Sequence, residues 1–292
     1  MQEINRAYRT PRDMRSKIRM WLDGEHICVL TIGKTASSAI IMAFIEAGVP
    51  AYQAHTLSRS PQEYLFVAGL KPKPLQNMAF KLKTAAWLRL TRNTPKRFVT
   101  TFRDPFARNM SAFFEQSWKL GRQIENTGQT GSIGQVGNIG QVEDMNRVED
   151  METDALAALY ETHGPHDVTR TWFADNLARP FGLSARDLDL RSHPAQELGA
   201  GKRRFLMLKY EDQSGWETAL SRFAGAPVSL ERRNESTRKS YSDALARLKS
   251  VWRPSPAIVA RSLDRDLWDA LYTDAEKTAI RTRWEIPRAL AP

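Results

Sequence analysis

The first residues that could do chemistry lie where an apolar run breaks at a glycine and a lysine. In CVLTIGKTASSAI, residues 28–40, Lys34 stands at the break, and Ser37 and Ser38 open a helical pattern. Backbone N–H groups and the positive end of a helix dipole bind phosphate, and hydroxyl groups donate further hydrogen bonds. A plain helix cap with a surface lysine fits the same residues. Both a phosphate site and a structural role therefore stay open for this segment.

A second segment carries residues suited to phosphate. In FVTTFRDPFARNMSAFF, residues 98–114, Arg103 follows a predicted strand and Ser111 lies on the next helix. A guanidinium group offers a planar fork of donors that matches a phosphate. The alternative is that Arg103 pairs with Asp104, which is placed to cap the helix that begins at Pro105. Two such segments in one chain favour a binding role over two unrelated caps.

The first segment departs from a nucleotide triphosphatase loop. Such a loop needs a glycine five residues before the Gly-Lys-Thr, where this sequence has Cys28, inside the predicted strand. No predicted strand ends in an aspartate that would hold a metal ion, because Asp104 is better placed as a helix cap. The pattern indicates a shorter phosphate loop between a strand and a helix.

The elements around these residues predict a parallel sheet. Residues 26–32 read as a buried strand, residues 35–47 as a helix that Gly48 ends, and residues 49–54 as a second strand. We expect a P-loop-like three-layer α/β/α fold with a central, mostly parallel sheet and a helical C-terminal part. Further strands are predicted at 98–102 and 205–208, and further helices at 105–116, 154–162 and 168–177.

Two stretches do not fit this alternation. Residues 121–150 begin with repeated Gly-Gln steps that lack a core-forming period, so we expect a flexible insertion in the fold. Residues 71–97 are rich in Lys and Arg and contain no acidic residue. A solvated basic helix is the expected role of that segment, and a docking face for an acidic acceptor or an anionic lipid surface is the alternative.

Composition narrows the class of protein. The chain has 292 residues, 41% of them hydrophobic, which suits a single domain over residues 1–292. A net charge of +10 favours anionic partners, and one cysteine excludes an internal disulfide and fits a reducing compartment. No segment is as apolar as a membrane span. We expect a cytoplasmic protein, with peripheral contact at the inner membrane surface as the alternative location.

We call residues 28–40 and 98–114 the two phosphate-type segments. Together they resemble the sulfotransferases that use 3′-phosphoadenosine 5′-phosphosulfate. In that family a strand is followed by a lysine and by small and hydroxyl residues that open a helix, as in residues 31–38 here. The family's second element, R-D-P-x-x-R-x-x-S-x-[FY], is similar to residues 103–113. The first segment departs from the common P-K-S-G-T form, because Gly33 replaces the proline and Ala36 replaces the glycine.

A narrower resemblance is to bacterial sulfotransferase-like proteins described as capsular polysaccharide synthesis proteins. It spans about residues 26–285. Members carry a second strand that ends in histidine, a Trp-Phe-acid stretch, a Tyr-Glu-Asp after a later strand, and an Asn-x-x-x-x-Lys-x-Tyr-Ser segment. The similar positions here are His55, residues 171–175, residues 210–212, and Asn234 with residues 239–242.

The resemblance implies in-line transfer of a sulfuryl group from this donor to an acceptor hydroxyl of a carbohydrate or glycoconjugate, without a metal ion. It places Lys34 at the leaving oxygen, the loop on the 5′-phosphate, and Arg103 with Ser111 on the 3′-phosphate. The residues implied to bind the donor are Gly33, Lys34, Thr35, Ala36, Ser37, Ser38, Arg103, Ser111, Arg238 and Lys239.

A base must take the acceptor's proton, and His55 is the predicted one. It ends the strand beside the loop, at the edge where open α/β sheets bind ligands, and imidazole titrates near neutral pH. Glu115 is the alternative base. We expect residues 210–212 to orient loops at this edge, and Trp172 with Phe173 to belong to the core.

Two other classes of protein stay open. A P-loop nucleotide kinase or NTPase would bind a magnesium nucleotide, and a nucleic-acid-binding protein would use the positive charge. The sequence lacks the first glycine of the former and any motif of the latter. We therefore expect a nucleotide donor and a glycan acceptor as partners, and no nucleic acid.

Overall fold

The computed structural model describes residues 26–55, 96–127, 148, 150–231 and 240–290. Three predictions fall wholly or largely outside these residues. They concern the basic segment 71–97, the insertion beyond Thr127, and the donor-binding roles of Arg238 and Lys239.

A five-stranded sheet in the order β2-β1-β3-β5-β4 forms the centre of the described fold. All neighbouring strands are parallel except β4, which pairs antiparallel with β5. The predicted α/β fold with a mostly parallel sheet is thus confirmed. The strands are β1 (Ile27–Leu30), β2 (Ala51–Ala54), β3 (Lys96–Phe102), β4 (Ala195–Ala200) and β5 (Arg203–Lys209).

Helices join the strands and make up most of the C-terminal part, as expected. Gly48 follows the first helix with a φ of 69°, the left-handed conformation that a glycine stop provides. The helices are α1 (Ser37–Glu46), α2 (Pro105–Thr127), α3 (Thr153–His163), α4 (Val168–Phe173), α5 (Arg179–Phe181), α6 (Trp216–Ala224), α7 (Ser242–Val251), α8 (Pro256–Ser262), α9 (Arg265–Leu271) and α10 (Asp274–Trp284).

Each face of the sheet carries a hydrophobic core, because the central strands are apolar on both sides. Ile27 and Val29 of β1 pack with residues of α1 and α6 on one face. Cys28 and Leu30 pack on the other face, with residues of α2, α4 and the C-terminal helices. Burial raises the pKa of the Cys28 thiol to about 12, so this cysteine is a core residue rather than a nucleophile.

The chain changes direction across the sheet between β1 and β3. From β1 it runs through α1 to β2 on one side, whereas β3 is followed by the strands on the other side. In open α/β sheets, ligands bind in the crevice at the carboxyl ends of two such strands. Both phosphate-type segments of the sequence lie at this crevice, since Thr31 follows β1 and Arg103 follows β3.

Three elements differ from the sequence predictions. Helix α2 continues to Thr127 instead of ending at residue 116, because a single glycine at 121 costs only about 1 kcal/mol in a helix. The helix predicted at 168–177 is α4 followed by a π-helical turn, Ala174–Ala178, where Asn176 donates its side-chain N–H to the Trp172 carbonyl. Strand β4 was not predicted, since AQELGA has neither alternation nor β-branched residues.

None of the helices that the structure describes is long and apolar enough to cross a bilayer.

Candidate functional site

The turn between β1 and α1 has an unusual backbone. Gly33, Lys34 and Ala36 have φ angles of 83°, 61° and 65°, in the left-handed region that costs a residue with a side chain about 1–2 kcal/mol. Ala36 is left-handed and Ser37 begins the helix, an alternation that turns successive N–H groups toward one point. Backbone strain of this kind is typical of binding sites. The N–H groups of this turn can therefore bind an anion, and we call residues 33–37 the cradle.

Two arginines hold this turn through its carbonyl oxygens. Arg108 donates from Nη2 to the Ile32 carbonyl at 2.7 Å and from Nε to the Gly33 carbonyl at 3.3 Å. Arg103 donates from Nη1 to the Lys34 carbonyl at 2.8 Å. Three successive carbonyls thus face guanidinium groups, which reduces their repulsion of an anion. The second phosphate-type segment of the sequence is in direct contact with the first.

Arg108 is the buried member of this pair, with 5% of the residue exposed. Burial lowers the pKa of its guanidinium to about 10; Tyr160 opposes this shift and Arg103 adds to it. The group stays charged at neutral pH, and Asn109 Oδ1 accepts a further hydrogen bond from it at 2.9 Å. The resemblance included Arg108 in the second element without a role of its own, and in the structure this residue supports the turn.

Arg103 lies at the end of β3 with its guanidinium over the Tyr210 ring, 4.3 Å from the ring centroid. Asp104 instead caps α2: one carboxylate oxygen accepts from the backbone N–H of Phe106 at 2.9 Å. The other oxygen accepts from Trp284 Nε1 at 2.9 Å. The predicted cap is confirmed, and the arginine is directed to the turn rather than to its neighbouring aspartate.

The Tyr-Glu-Asp stretch after β5 supports the same edge, as the sequence predicted. Glu211 accepts a hydrogen bond from the backbone N–H of Asp104 at 2.7 Å. Burial raises the pKa of the carboxyl groups of both Glu211 and Asp104. Tyr210 lies under Arg103, so this stretch fixes where the strand end points.

Lys34 extends from the turn toward α2, where its Nζ lies 3.4 Å from Oε2 of Glu115. The Tyr241 hydroxyl donates to the same oxygen at 2.9 Å, and burial raises the pKa of that phenol. The Lys34 and Glu115 side chains are 25% and 17% exposed. Glu115 therefore lies against the turn, where it holds the ammonium group.

The hydroxyl residues of the two segments differ in their surroundings. Thr35 is buried and its Oγ1 accepts from Thr101 at 2.6 Å, so its side chain faces the sheet and only its N–H can serve the cradle. Ser37 Oγ accepts from the Gln53 amide at 2.7 Å, and Ser38 is half-buried. Ser111 lies between Arg108 and Glu115 on the α2 face that contacts the turn, following the helical spacing.

His55 follows β2 and lies beside the turn. Its Nδ1 is 3.0 Å from the Thr31 carbonyl, and its Nε2 is 3.2 Å from the Gln53 amide nitrogen. A Cβ atom built on Gly33 would stand 3.6 Å from the imidazole. Trp172 is buried, as predicted, and donates from Nε1 to the His55 carbonyl at 2.7 Å. The fold thus fixes the histidine at the cradle.

The structure brings together most of the residues predicted for the site. Residues 33–38, His55, Arg103 and Ser111 lie around one sheet edge, and Arg238 and Lys239 fall outside the described residues. Sequence reasoning missed Gln53. The alternation of side chains along β2 could have indicated this residue, because it puts Gln53 and His55 on the same side of the strand.

A groove of about 500 Å³ lies around the turn between β4 and β5, at the amino end of β5 and away from the cradle. It contains none of the predicted site residues. Its lining residues are Phe181, Gly182, Leu183, Asp187, Leu198, Gly199, Ala200 and Gly201.

Comparisons with protein-family models, with curated proteins and with solved structures found no match to this chain. Within the described ranges, no group of three or more His, Cys, Asp or Glu side chains could hold a metal ion.

Proposed function

We propose that this protein is a sulfotransferase that moves a sulfuryl group from 3′-phosphoadenosine 5′-phosphosulfate to an acceptor hydroxyl. One observation carries the proposal. The arginines of the Arg-Asp-Pro-x-x-Arg segment donate to three successive carbonyls of the lysine-bearing turn. The two segments that resemble the donor-binding elements of sulfotransferases therefore form one site.

In this proposal, the 5′-phosphosulfate of the donor binds in the cradle. The N–H groups at the start of α1 and the hydroxyls of Ser37 and Ser38 bind the 5′-phosphate. Arg103 and Ser111, with Arg238 and Lys239, bind the 3′-phosphate. The positive N-terminus of α1 and the arginine–lysine cluster favour a ligand with several negative charges.

In the reaction, the acceptor oxygen attacks sulfur as the bond from sulfur to the bridging oxygen breaks. Lys34 leaves Glu115 and neutralises the charge that develops on that oxygen. His55 Nε2 takes the acceptor's proton, and adenosine 3′,5′-bisphosphate leaves. The donor loop, the lysine and the base all lie at one end of the sheet, so one bound donor and one acceptor can reach all three.

We infer a P-loop-like sheet and a glycan acceptor from the same resemblance, and a cytoplasmic location from the composition of the chain. Asp104, the acidic residue that directly follows Arg103, has both carboxylate oxygens engaged within the protein, because it caps α2 and accepts from Trp284 instead of facing a magnesium nucleotide. Cys28 stands in β1 where a triphosphatase has its first glycine. These two positions favour the sulfotransferase over a kinase or NTPase.

Transfer of a labelled sulfuryl group from the donor to panels of glycans, glycolipids and small alcohols tests the proposal. We expect one acceptor class to be labelled by the wild-type chain. Lys34→Ala should abolish the transfer while the protein stays folded, because the leaving oxygen loses its cation.

Lys202→Ala is the matched control, since Lys202 is exposed at the turn between β4 and β5, at the other edge of the sheet. It should transfer at the wild-type rate. Unchanged turnover in Lys34→Ala would remove the role given to this lysine, and no transfer to any acceptor would contradict the proposed function.

A further inference from the structure

One amide side chain connects the phosphate cradle with the histidine. The Gln53 Nε2 atom lies 2.7 Å from Ser37 Oγ and 3.2 Å from His55 Nε2. Gln53 belongs to β2, the edge strand next to β1, and its side chain reaches toward the start of α1. Its side chain contacts both a predicted phosphate ligand and the predicted base.

The positions of the protons follow from the Thr31 carbonyl. This oxygen can only accept, so His55 Nδ1, at 3.0 Å, carries a proton and donates it. In the neutral imidazole, Nε2 is then an acceptor, and the partner facing it must be the NH₂ end of Gln53. The second N–H of this group is donated to Ser37 Oγ. Since Ser37 receives that hydrogen bond, its own proton is directed elsewhere.

We propose that Gln53 is a positioning residue that fixes the protons of Ser37 and His55. It makes the Ser37 hydroxyl a donor to the phosphate, and it selects the imidazole with an unprotonated Nε2 that can accept the acceptor's proton. The 3.2 Å contact is at the long end for a hydrogen bond, so an acceptor hydroxyl can replace it. The shorter bond to Ser37 remains. This inference rests on the proposed function for the identity of the ligand.

The proton assignment can be tested without any ligand. Nitrogen NMR of the full-length chain at about pH 8, where an ordinary imidazole is neutral, shows which ring nitrogen carries the proton. His55→Gln identifies the resonances. We expect a protonated Nδ1 and an unprotonated Nε2. A proton on Nε2 would mean that Gln53 presents its oxygen and receives the Ser37 proton, and it would overturn the proposal.

A double-mutant cycle tests whether Gln53 acts through Ser37. We expect Gln53→Ala to weaken binding of adenosine 3′,5′-bisphosphate about tenfold, the loss of one well-oriented bond to a charged group. In the Ser37→Ala background the same change should cost less than about twofold, because the hydroxyl it orients is gone. Equal losses in both backgrounds would contradict the coupling.

Gln53→Glu separates orientation from packing. The carboxylate has nearly the shape of the amide, but it can only accept, so it draws the Ser37 proton toward itself and favours a proton on His55 Nε2. We expect weaker nucleotide binding than in Gln53→Ala, and both imidazole nitrogens protonated at a pH where the wild-type ring is neutral. The added charge also repels the nucleotide, so the imidazole decides between the roles: a ring that stays neutral at that pH would contradict the orienting role.

Gln196→Glu is the control, because Gln196 lies on β4, which flanks the sheet on the side away from β2, and should affect neither readout. Failure of the wild-type chain to bind the nucleotide would contradict the proposed function. The ligand-free NMR result would still decide the assignment of the protons.

Discussion

At the scale of single residues, the site contains two candidate bases in different surroundings. His55 has a neutral ring partner at each nitrogen, the Thr31 carbonyl and the Gln53 amide. Glu115 holds the Lys34 ammonium and accepts from Tyr241. An ordinary carboxylate is a weaker proton acceptor than a neutral imidazole, and Tyr241 still donates to Glu115 after Lys34 moves to the leaving oxygen. The surroundings favour His55 as the base.

A comparison of two variants tests this assignment. We expect His55→Ala to lower kcat about 10²-fold with little change in nucleotide affinity, the usual effect of removing a general base. Glu115→Gln keeps the shape of the side chain and should lower kcat less, since it alters only how Lys34 is held. Steady-state kinetics together with nucleotide titration gives both quantities. A larger loss of kcat in Glu115→Gln would exchange the two roles.

Much of the site at this scale was accessible from the sequence. The types and spacing of Lys34, Arg103 and Asp104 were sufficient to predict where these residues lie, because helix caps and strand ends depend on local sequence. The support that Arg108 gives to the turn could not be predicted from the sequence, since its hydrogen bonds join residues more than seventy positions apart. The link through Gln53 could have been predicted in part, since Gln53 and His55 alternate onto one side of β2, but its contact with Ser37 depends on how the side chains pack.

At the scale of elements, the turn between β1 and α1 keeps a left-handed residue that is not glycine. Ala36 has φ 65° and ψ 15° and directly precedes the helix. A glycine reaches this conformation without the clash of a Cβ atom. The carbonyl contacts of Arg103 and Arg108 hold the turn in this shape. The protein thus keeps a strained residue, which lowers its stability, and the geometry of the cradle depends on that residue.

Ala36→Gly should therefore stabilise the protein. We expect the free energy of unfolding to rise by about 1 kcal/mol, because the left-handed backbone is no longer strained. Ala39→Gly is the matched control within α1, and it should lower the same quantity by about 0.5–1 kcal/mol. Urea unfolding of both variants measures the difference. Destabilisation by both changes would show that the turn is not strained at Ala36.

Elements with a strong apolar pattern were predicted well, and elements or boundaries without one were not. Strands β1, β3 and β5 and helices α1 and α3 follow apolar periods that burial on the sheet requires. Strand β4 has no such period and forms because it pairs with β5 over its whole length. The length of α2 and the π-helical turn after α4 have local causes that the prediction did not weigh: the helix tolerates a glycine at 121, and the Asn176 side chain donates to the Trp172 carbonyl.

At the scale of the molecule, the sheet topology brings the two phosphate-type segments together. The strand order puts β1 beside β3, although residues 31–95 separate them in the chain. The two cores fix the strands from both faces, so the ends that carry Lys34 and Arg103 hold their distance. Such a rigid edge suits a ligand with two anionic ends.

The central claim is that one adenosine nucleotide with two phosphate ends occupies this edge. Calorimetric titration of the full-length chain with adenosine 3′,5′-bisphosphate, adenosine 5′-monophosphate, ATP and duplex DNA, each with and without magnesium, tests it most directly. We predict that the bisphosphate binds at least about tenfold more tightly, independently of magnesium, and that Arg103→Met removes most of this preference. Equal affinity for the two nucleotides, or a preference for magnesium-ATP or DNA, would contradict the account.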